Sequence, residues 1–326
     1  MIRLILLKGE KAYDVSELVS SVSWKGRRGS AARSLSVNFI DDDGYKHDRT
    51  GINVGNGDRC IFYWNCKELF RGIIMLQEQS NSKSMSVTAY DNCIYLSNNS
   101  DTFTYSNRTA SSIFIDVCSR FGLRIGEVTP TNYQIADLVK SKTTGWDAIL
   151  DALSITFEAT GRRYYPVCLG EKINLIERRN NILQWVIETG TNIETYSYSK
   201  SIENIKSRIK VFSKEDQVVA QAQNNSLESK IGIFQDVISA EDDMNSAQLN
   251  ELAQSTLKEK STPVESLNVS CLGVADIITG TGVFVKIAPL NIAKTYYVES
   301  DTHDFTGNKH VMSLSLSLAN DIYGSN

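Results

Sequence analysis

The sequence predicts a β-rich α+β fold, with an antiparallel β domain at each end of the chain and a small α+β module between them. Three observations carry this. Runs in which serine alternates with apolar residues crowd both ends, two well-capped helices lie near the middle, and the strand-rich ends echo each other in order and spacing. At 326 residues the chain can bury several cores. We expect borders giving a first β domain at 1–107, an α+β module at 108–192, and a second β domain at 193–326 with one helix.

The plainest strand is Val311-Met-Ser-Leu-Ser-Leu-Ser-Leu318. Met312, Leu314, Leu316 and Leu318 fall on one face and Ser313, Ser315 and Ser317 on the other, because successive strand side chains point to opposite sides. Ser34-Leu-Ser-Val-Asn-Phe39 alternates in the same way. Residues 2–7, 13–24 and 34–40 read as strands, as do Arg59–Trp64, the run from Glu68 to Ile74, and Ser84–Tyr90. After Arg108, Thr109 is placed to cap a helix with Ile113, Val117 and Phe121 on its apolar face, and Gly122 stands where a left-handed cap belongs. Thr143 or Thr144 starts a stronger helix, with Trp146, Ile149, Leu150, Leu153 and Phe157 as its stripe and Gly161 at its close. Arg163–Cys168 and Lys172–Glu177 form a hairpin turned at Leu169-Gly-Glu171. Strands follow at Thr195–Tyr198 and Ile205–Phe212. Gln223 to Lys230 is read as a polar mobile loop. A helix over about 245–260 ends before Pro263, and the meander Leu267–Cys271, Val283–Ile287, Tyr296–Ser300 and Val311–Leu318 closes the chain.

Composition narrows the function classes. Net charge is −4 overall. It divides as +1 for residues 1–107, +1 for 108–192 and −6 for 193–326, the wrong sign for a surface that grips phosphates, so direct nucleic-acid binding is not expected. The apolar start, Met1 to Leu7, is broken by Lys8 and Glu10 before signal-peptide length, and no run approaches a membrane span. We expect synthesis in the host cytoplasm without a signal peptide, and no membrane insertion. Six scattered cysteines read as free thiols of a reducing compartment.

Motifs that suggest chemistry each have a plainer explanation. Lys25-Gly-Arg-Arg-Gly29 offers cations and glycines to an anion, but reads as a hairpin tip. Asp41-Asp-Asp-Gly44 lacks calcium-loop spacing. Gly55-Asn-Gly57 and Gly280-Thr-Gly282 open no helix, which a dinucleotide loop requires, so they read as turns. His303 and His310, with Asp301 and Asp304 nearby, have no common zinc spacing and read as polar residues on a connection between strands. Trp146 and Tyr164 suit a stacking platform, although a Trp on a helix stripe is usually core. No nucleophile elbow or paired-carboxylate signature is present. We expect no catalytic residues, cofactor or metal.

The echo aligns Gly57 with Gly282 at an offset of 225 and Met85 with Met312 at 227, with a strand, a second strand and a Ser-alternating third strand after each glycine turn. Such near-agreement raises the possibility of an internal duplication.

Several runs in one order carry a family resemblance: Pro263-Val-Glu-Ser-Leu-Asn-Val269, Leu272-Gly-Val-Ala-Asp-Ile-Ile-Thr-Gly280, Tyr297-Val-Glu-Ser-Asp-Thr-His303 and His310-Val-Met-Ser-Leu-Ser-Leu316, with Trp146-Asp-Ala-Ile-Leu150 and the Gly161–Tyr165 run. The chain resembles baseplate hub proteins of contractile phage tails and R-type bacteriocins, in particular the hub of PBSX-type prophages, and is similar to the T4-like tail hub. The resemblance implies that the end domains are tube-like antiparallel β-barrels. It implies a non-enzymatic homotrimer, a ring adapting the sixfold tail tube to a threefold central spike in a virion or bacteriocin baseplate. The implied partners are the tail tube protein, the central spike protein and the tape-measure and wedge proteins. Acidic excess in the last third would suit a channel wall that repels DNA. Ser84, Ser86, Thr88, Ser313, Ser315 and Ser317 become candidate ring or inter-subunit positions. The alternative reading is a phage-encoded cell-wall binding or degrading tail protein that uses the aromatic-rich middle. A zinc enzyme around His303 and His310 ranks below both.

Overall fold

Alternation of hydroxyl and apolar side chains gives most strands one face to bury, and the computed structural model shows how those faces meet. It describes residues 1–40, 54–79, 85–240 and 244–318. The acidic loop from Asp41 to Asp48, and Ser84, lie outside the described residues. The first strands are β1 (Ile2–Lys8), β2 (Lys11–Asp14), β3 (Val19–Arg27), β4 (Ser34–Phe39), β5 (Arg59–Trp64), β6 (Lys67–Gln79) and β7 (Met85–Tyr90). The middle holds α1 (Ile94–Asn98), β8 (Ser100–Thr109), α2 (Ala110–Arg120), β9 (Ile125–Val128), β10 (Gln134–Thr144), α3 (Gly145–Thr160), β11 (Tyr164–Leu169) and β12 (Lys172–Glu177). Then come β13 (Ile182–Glu188), β14 (Ile193–Ser201), β15 (Arg208–Phe212), β16 (Val218–Gln223), α4 (Asn225–Ile231), β17 (Gln235–Ser239), α5 (Ser246–Lys260), β18 (Val264–Leu272), β19 (Gly282–Ile287), β20 (Ile292–Thr306) and β21 (Lys309–Ser317). The fold is β-rich α+β, as its patterning predicts.

Two units emerge, Met1–Tyr196 with Asn268–Asn326, and Ser197–Leu267. In the larger one a sheet runs β18-β21-β20-β3-β4-β7-β6-β5-β1-β2, with β14 beside β18 at its end and β13 joined through β19. Leu35, Val37, Val22, Phe62, Ile74, Val87 and Phe305 pack into one core cluster. Met312, Leu314 and Leu316 are likewise buried, as the Ser/Leu alternation requires. A second cluster belongs to the middle elements: α2 and α3 bring Ile113, Phe114, Val117, Ile149 and Leu153 against Tyr164, Ile173 and Leu175, and it draws in Leu96 and Phe103 as well. Thr109 and Thr144 accept the N–H of Ser112 and Asp147, and Gly161 closes α3 in the left-handed conformation at φ +66°.

The smaller unit is a three-stranded sheet, β16-β15-β17, in which Ile209, Val211, Ala220 and Ala222 pack with Ala253 and Leu257 of α5. Asn245 and Gln248 cap α5 reciprocally. Gln223 to Lys230 corrects the expectation of a mobile loop. Most of it is α4, whose Asn224 side chain accepts the Leu227 N–H at 3.0 Å and whose Glu228 pairs with Arg208 at 2.9 Å. The cap and the ion pair hold a helix that has no buried residue to announce it.

The two ends are a true structural repeat. Strands β5-β6-β7 and β19-β20-β21 are both antiparallel three-stranded meanders. Gly57 donates to the Ile74 carbonyl at 2.8 Å and Ile74 to Asp58; Gly280 donates to Val298 at 2.9 Å and Val298 to Thr281. Both glycines have nearly the same positive φ, +92° and +91°. A bulge interrupts β6–β7 between Ile74 and Leu76, and its counterpart interrupts β20–β21 between Val298 and Ser300. The structure thus aligns Gly57 with Gly280, an offset of 223, and corrects the Gly57 to Gly282 alignment by two residues. The equivalence of Met85 and Met312 stands, because Thr88 and Ser315 occupy the same place after the two bulges. Outside the meanders, Ser34-Leu-Ser-Val-Asn-Phe39 of β4 matches Ser266-Leu-Asn-Val-Ser-Cys271 of β18. The Ile40 N–H donates to Leu18 as the Leu272 N–H does to Asn192, so β14 corresponds to β3.

Both turns need glycine, but unequally. A Cβ on Gly57 would meet open space, whereas on Gly280 it would lie 2.5 Å from the Tyr165 ring. Gly57→Ala is expected to cost about 1–3 kcal/mol through its φ alone, and Gly280→Ala more than Gly57→Ala. Urea unfolding of the two variants measures the difference.

Candidate functional site

Where the two meanders meet, β3 pairs antiparallel with the C-terminal half of β20, Ser300 to Phe305 against Arg27 to Val22. A charged cluster is buried at this junction. Arg33, from the β3–β4 hairpin, reaches Asp301 of β20 through both terminal nitrogens, Nη1 at 2.9 Å, and stacks with its Cζ 4.1 Å from the Trp24 ring centre. Asp301 also accepts the Thr279 N–H and hydroxyl, each at 2.6 Å. Burial alone would raise its pKa, but the charge and hydrogen bonds of Arg33, with His303 beside it, outweigh that and hold the carboxyl well below the usual range. Gly26 leaves the space for the guanidinium, since a Cβ there would lie 2.0 Å from Nη1. The Lys25–Gly29 stretch is thus partly strand. Its glycine at 26 serves packing, and the turn begins after Arg27.

His303 and His310 lie within β20 and β21, which corrects their placement on a connection. Their rings are linked Nδ1 to Nε2 at 2.9 Å, His303 is fully buried and also bonds the Ile277 carbonyl at 2.9 Å. Burial, and then the His303 charge, lowers the His310 pKa to about 4. Among the described residues no three His, Cys, Asp or Glu side chains are grouped to hold a metal ion. Glu299, the bulge residue, receives Arg178 and Ser317 at 2.6 Å and pairs with Arg28. Trp146 is buried in the middle cluster, donates its Nε1–H to the Gly29 carbonyl at 3.3 Å, and presents no stacking face. Tyr164 is buried with it.

The candidate serines come together on one face of the sheet. Cross-strand partners share a face, and the registers give a row Ser313, Thr302, Lys25, Ser34 and a row Asp304, Ser23, Ser36, Thr88. Ser315 lies opposite Ser300, and Ser86 opposite Asn38. Ser36 and Thr88 hydroxyls are 3.1 Å apart, Ser23 donates to Asp304 at 2.6 Å, and Ser313 is exposed. Ser317 faces the same side, held by Glu299. The result is a hydroxyl-rich, weakly charged surface on the side of the strands opposite to the Met/Leu core. Sequence reasoning missed Arg33, whose only signal is a cation directly after Ala31-Ala32 in a hairpin.

The fold is shared with known proteins. The YQBQ-like family model matches residues 22–317. The chain belongs to the YQBQ-like family. Within reach of it is the phage-like element PBSX protein XkdQ of Bacillus subtilis (strain 168), 33% identical over 320 residues and covering 97% of each chain. Among solved structures, the fold is similar to the 43 kDa tail protein of prophage MuSo2 from Shewanella oneidensis, with a TM-score of 0.75 at 11% identity and 98% of both chains covered. It is also similar to the E. coli c3393 protein, described as a type VI secretion component resembling T4 bacteriophage tail proteins gp27 and gp5, with a TM-score of 0.57 at 10% identity over 94% of this chain and 76% of that one.

Removing one partner of the buried ion pair leaves the other uncompensated. Asp301→Asn is expected to cost about 3–5 kcal/mol, and Arg33→Met with Asp301→Leu to recover much of that; thermal or urea unfolding of the two variants is the check. The His310 pKa gives a second expectation. Because it is lowered from 6.5 to about 4, the unfolded chain takes up a proton between these values that the folded chain does not, so stability falls as pH falls through that window. His310→Asn is expected to flatten the fall of melting temperature from pH 6.5 to 4.5, and an unchanged slope contradicts the assignment.

Proposed function

We propose that this chain is a structural, non-enzymatic hub of a phage-like tail baseplate. The observation that carries the reading is the internal repeat: two equivalent meanders in one chain, joined edge to edge through β3 and β20. Three chains with two such units each would present six similar units to a sixfold tail tube while keeping threefold symmetry for a central spike. A relative named as a phage-like element protein, and a similar fold named as a prophage tail protein, support the placement in a tail. The likeness to a protein described as resembling gp27 and gp5 supports a position at the tube–spike boundary.

In this reading residues 1–107 and 193–326 each supply one tube-like β-barrel half, and residues 108–192 decorate the ring. The hydroxyl face, with Ser86, Thr88, Ser313, Ser315 and Ser317, is the channel wall or an inter-subunit surface. The tail tube and central spike proteins are direct neighbours, with the tape-measure and wedge proteins also in contact in the baseplate of a virion or contractile bacteriocin. Joining strands around a ring also covers sheet edges that otherwise invite aggregation. No observation favours the wall-degrading alternative, since Trp146 and Tyr164 are buried.

Native mass spectrometry of the purified chain, alone and with its tube protein, tests the proposal. The expected result is a trimer of the 36.3 kDa chain, formed alone or on the tube. A monomer under both conditions contradicts it.

A further inference from the structure

Beside the charged junction lies a cavity of about 80 Å³, bounded by three stretches far apart in sequence. The β3–β4 hairpin brings Gly26 to Arg33, the middle elements bring Trp146, Leu150 and Tyr165 to Cys168, and the turn before β19 brings Thr279 and Gly280. Its walls are mainly apolar, and alanines at 31 and 32 leave the space that larger side chains would fill. Trp146 is fixed by the bond from Nε1–H to the Gly29 carbonyl at 3.3 Å. Tyr165 is fixed by its contact with Gly280, where a Cβ would lie 2.5 Å from the ring.

The polar part of the lining is cationic. Five arginines, Arg27, Arg28, Arg33, Arg163 and Arg178, face a single acid, Asp91. Arg33, Arg163 and Arg178 are buried. Arg28 and Arg178 share the carboxylate of Glu299. Arg33 pairs with Asp301, yet its Nε has no hydrogen-bond partner among the described residues. Arg163 sits with its Cζ 3.6 Å from the Phe157 ring centre, a contact that fixes its position. Asp91 accepts the Arg33 and Cys93 N–H groups at 3.1 and 2.9 Å. Burial raises its pKa to about 7, which weakens the charge it sets against an anion near neutral pH.

We propose that this cavity binds a small monocarboxylic acid with a short branched body, its carboxylate on the arginines and its hydrocarbon among Ala31, Ala32, Leu150 and Val167. Size and chemistry select the class together. One water needs about 10–15 Å³ of such space, so the cavity takes roughly five to eight non-hydrogen atoms. Inorganic phosphate would suit the guanidinium groups but would set its oxygens against apolar walls. A neutral molecule of the same shape would bring the guanidinium groups no anion. A planar carboxylate matches the guanidinium fork with two parallel hydrogen bonds. Because hairpin, middle elements and turn each supply part of the lining, the acid binds only the folded chain and raises its melting temperature.

Titration of the full chain with isovalerate, followed by saturation-transfer NMR and by melting temperature, tests the site. Isovalerate is expected to saturate below about 10 mM and to raise the melting temperature. Isoamyl alcohol, which lacks the carboxylate, and inorganic phosphate, which lacks the hydrocarbon, are each expected to bind at least about tenfold more weakly. Ala32→Leu, which fills the cavity, and Arg163→Gln are each expected to weaken isovalerate at least about tenfold. No saturation below about 10 mM overturns the site. Binding of the alcohol as tight as that of the acid overturns the role of the arginines, and equal binding of phosphate overturns that of the apolar walls. Unchanged affinity in a folded Ala32→Leu chain places the acid elsewhere and overturns the assignment. The three ligands compared on the parent chain decide the matter even if a variant fails to fold.

Discussion

The structure of the larger unit turns on the buried ion pair between Arg33 and Asp301. It sits where the two meanders join, and almost every unusual local choice nearby serves it. Gly26 lacks a side chain so that the guanidinium fits, Thr279 aims two donors at the carboxylate, and Trp24 covers the guanidinium. An ion pair removed from water seldom gives more stability than a well-packed apolar pair would. What it does provide is selectivity of register, since sliding β3 along β20 by one residue would leave both charges buried and unmatched. The pair thus fixes which edge of the first meander meets which edge of the second.

That selection gives the repeat its use. Duplicated meanders share a positive-φ glycine, a bulge and a Ser/apolar strand, so either could in principle meet either. The charged junction, Arg33 with Asp301, forms once per chain. The hydroxyl-rich face runs across both meanders without a concentration of charge.

Much of this was readable in the residues. Ser313 to Leu318 and Ser34 to Phe39 declare their faces by alternation, and Thr109, Thr144, Gly161 and Asn245 mark helix ends by chemistry that does not depend on the rest of the fold. The missed elements lack such local signals. Helix α4 is held by a cap and the Arg208–Glu228 pair without burying any residue. Strand β10 buries few side chains and is held to β8 through cross-strand contacts such as Ser106 to Asp137 at 2.6 Å. The two-residue slip in the echo has a similar origin: Gly55-Asn-Gly57 and Gly280-Thr-Gly282 look alike as text, but the positive φ falls on the second glycine of one and the first of the other. Arg33 was invisible as a site residue because its partner lies 268 positions away.

Two equivalent meanders joined through β3 and β20 in one chain make alternation of six such units around one axis the feature on which the proposed hub stands or falls. Electron cryo-microscopy of the chain assembled on its tail tube tests it most directly. The expected result is six quasi-equivalent meanders around one axis, with the β3–β20 junction inside each of three chains and the hydroxyl face turned to the channel. An assembly in which the meanders do not alternate about one axis contradicts the hub.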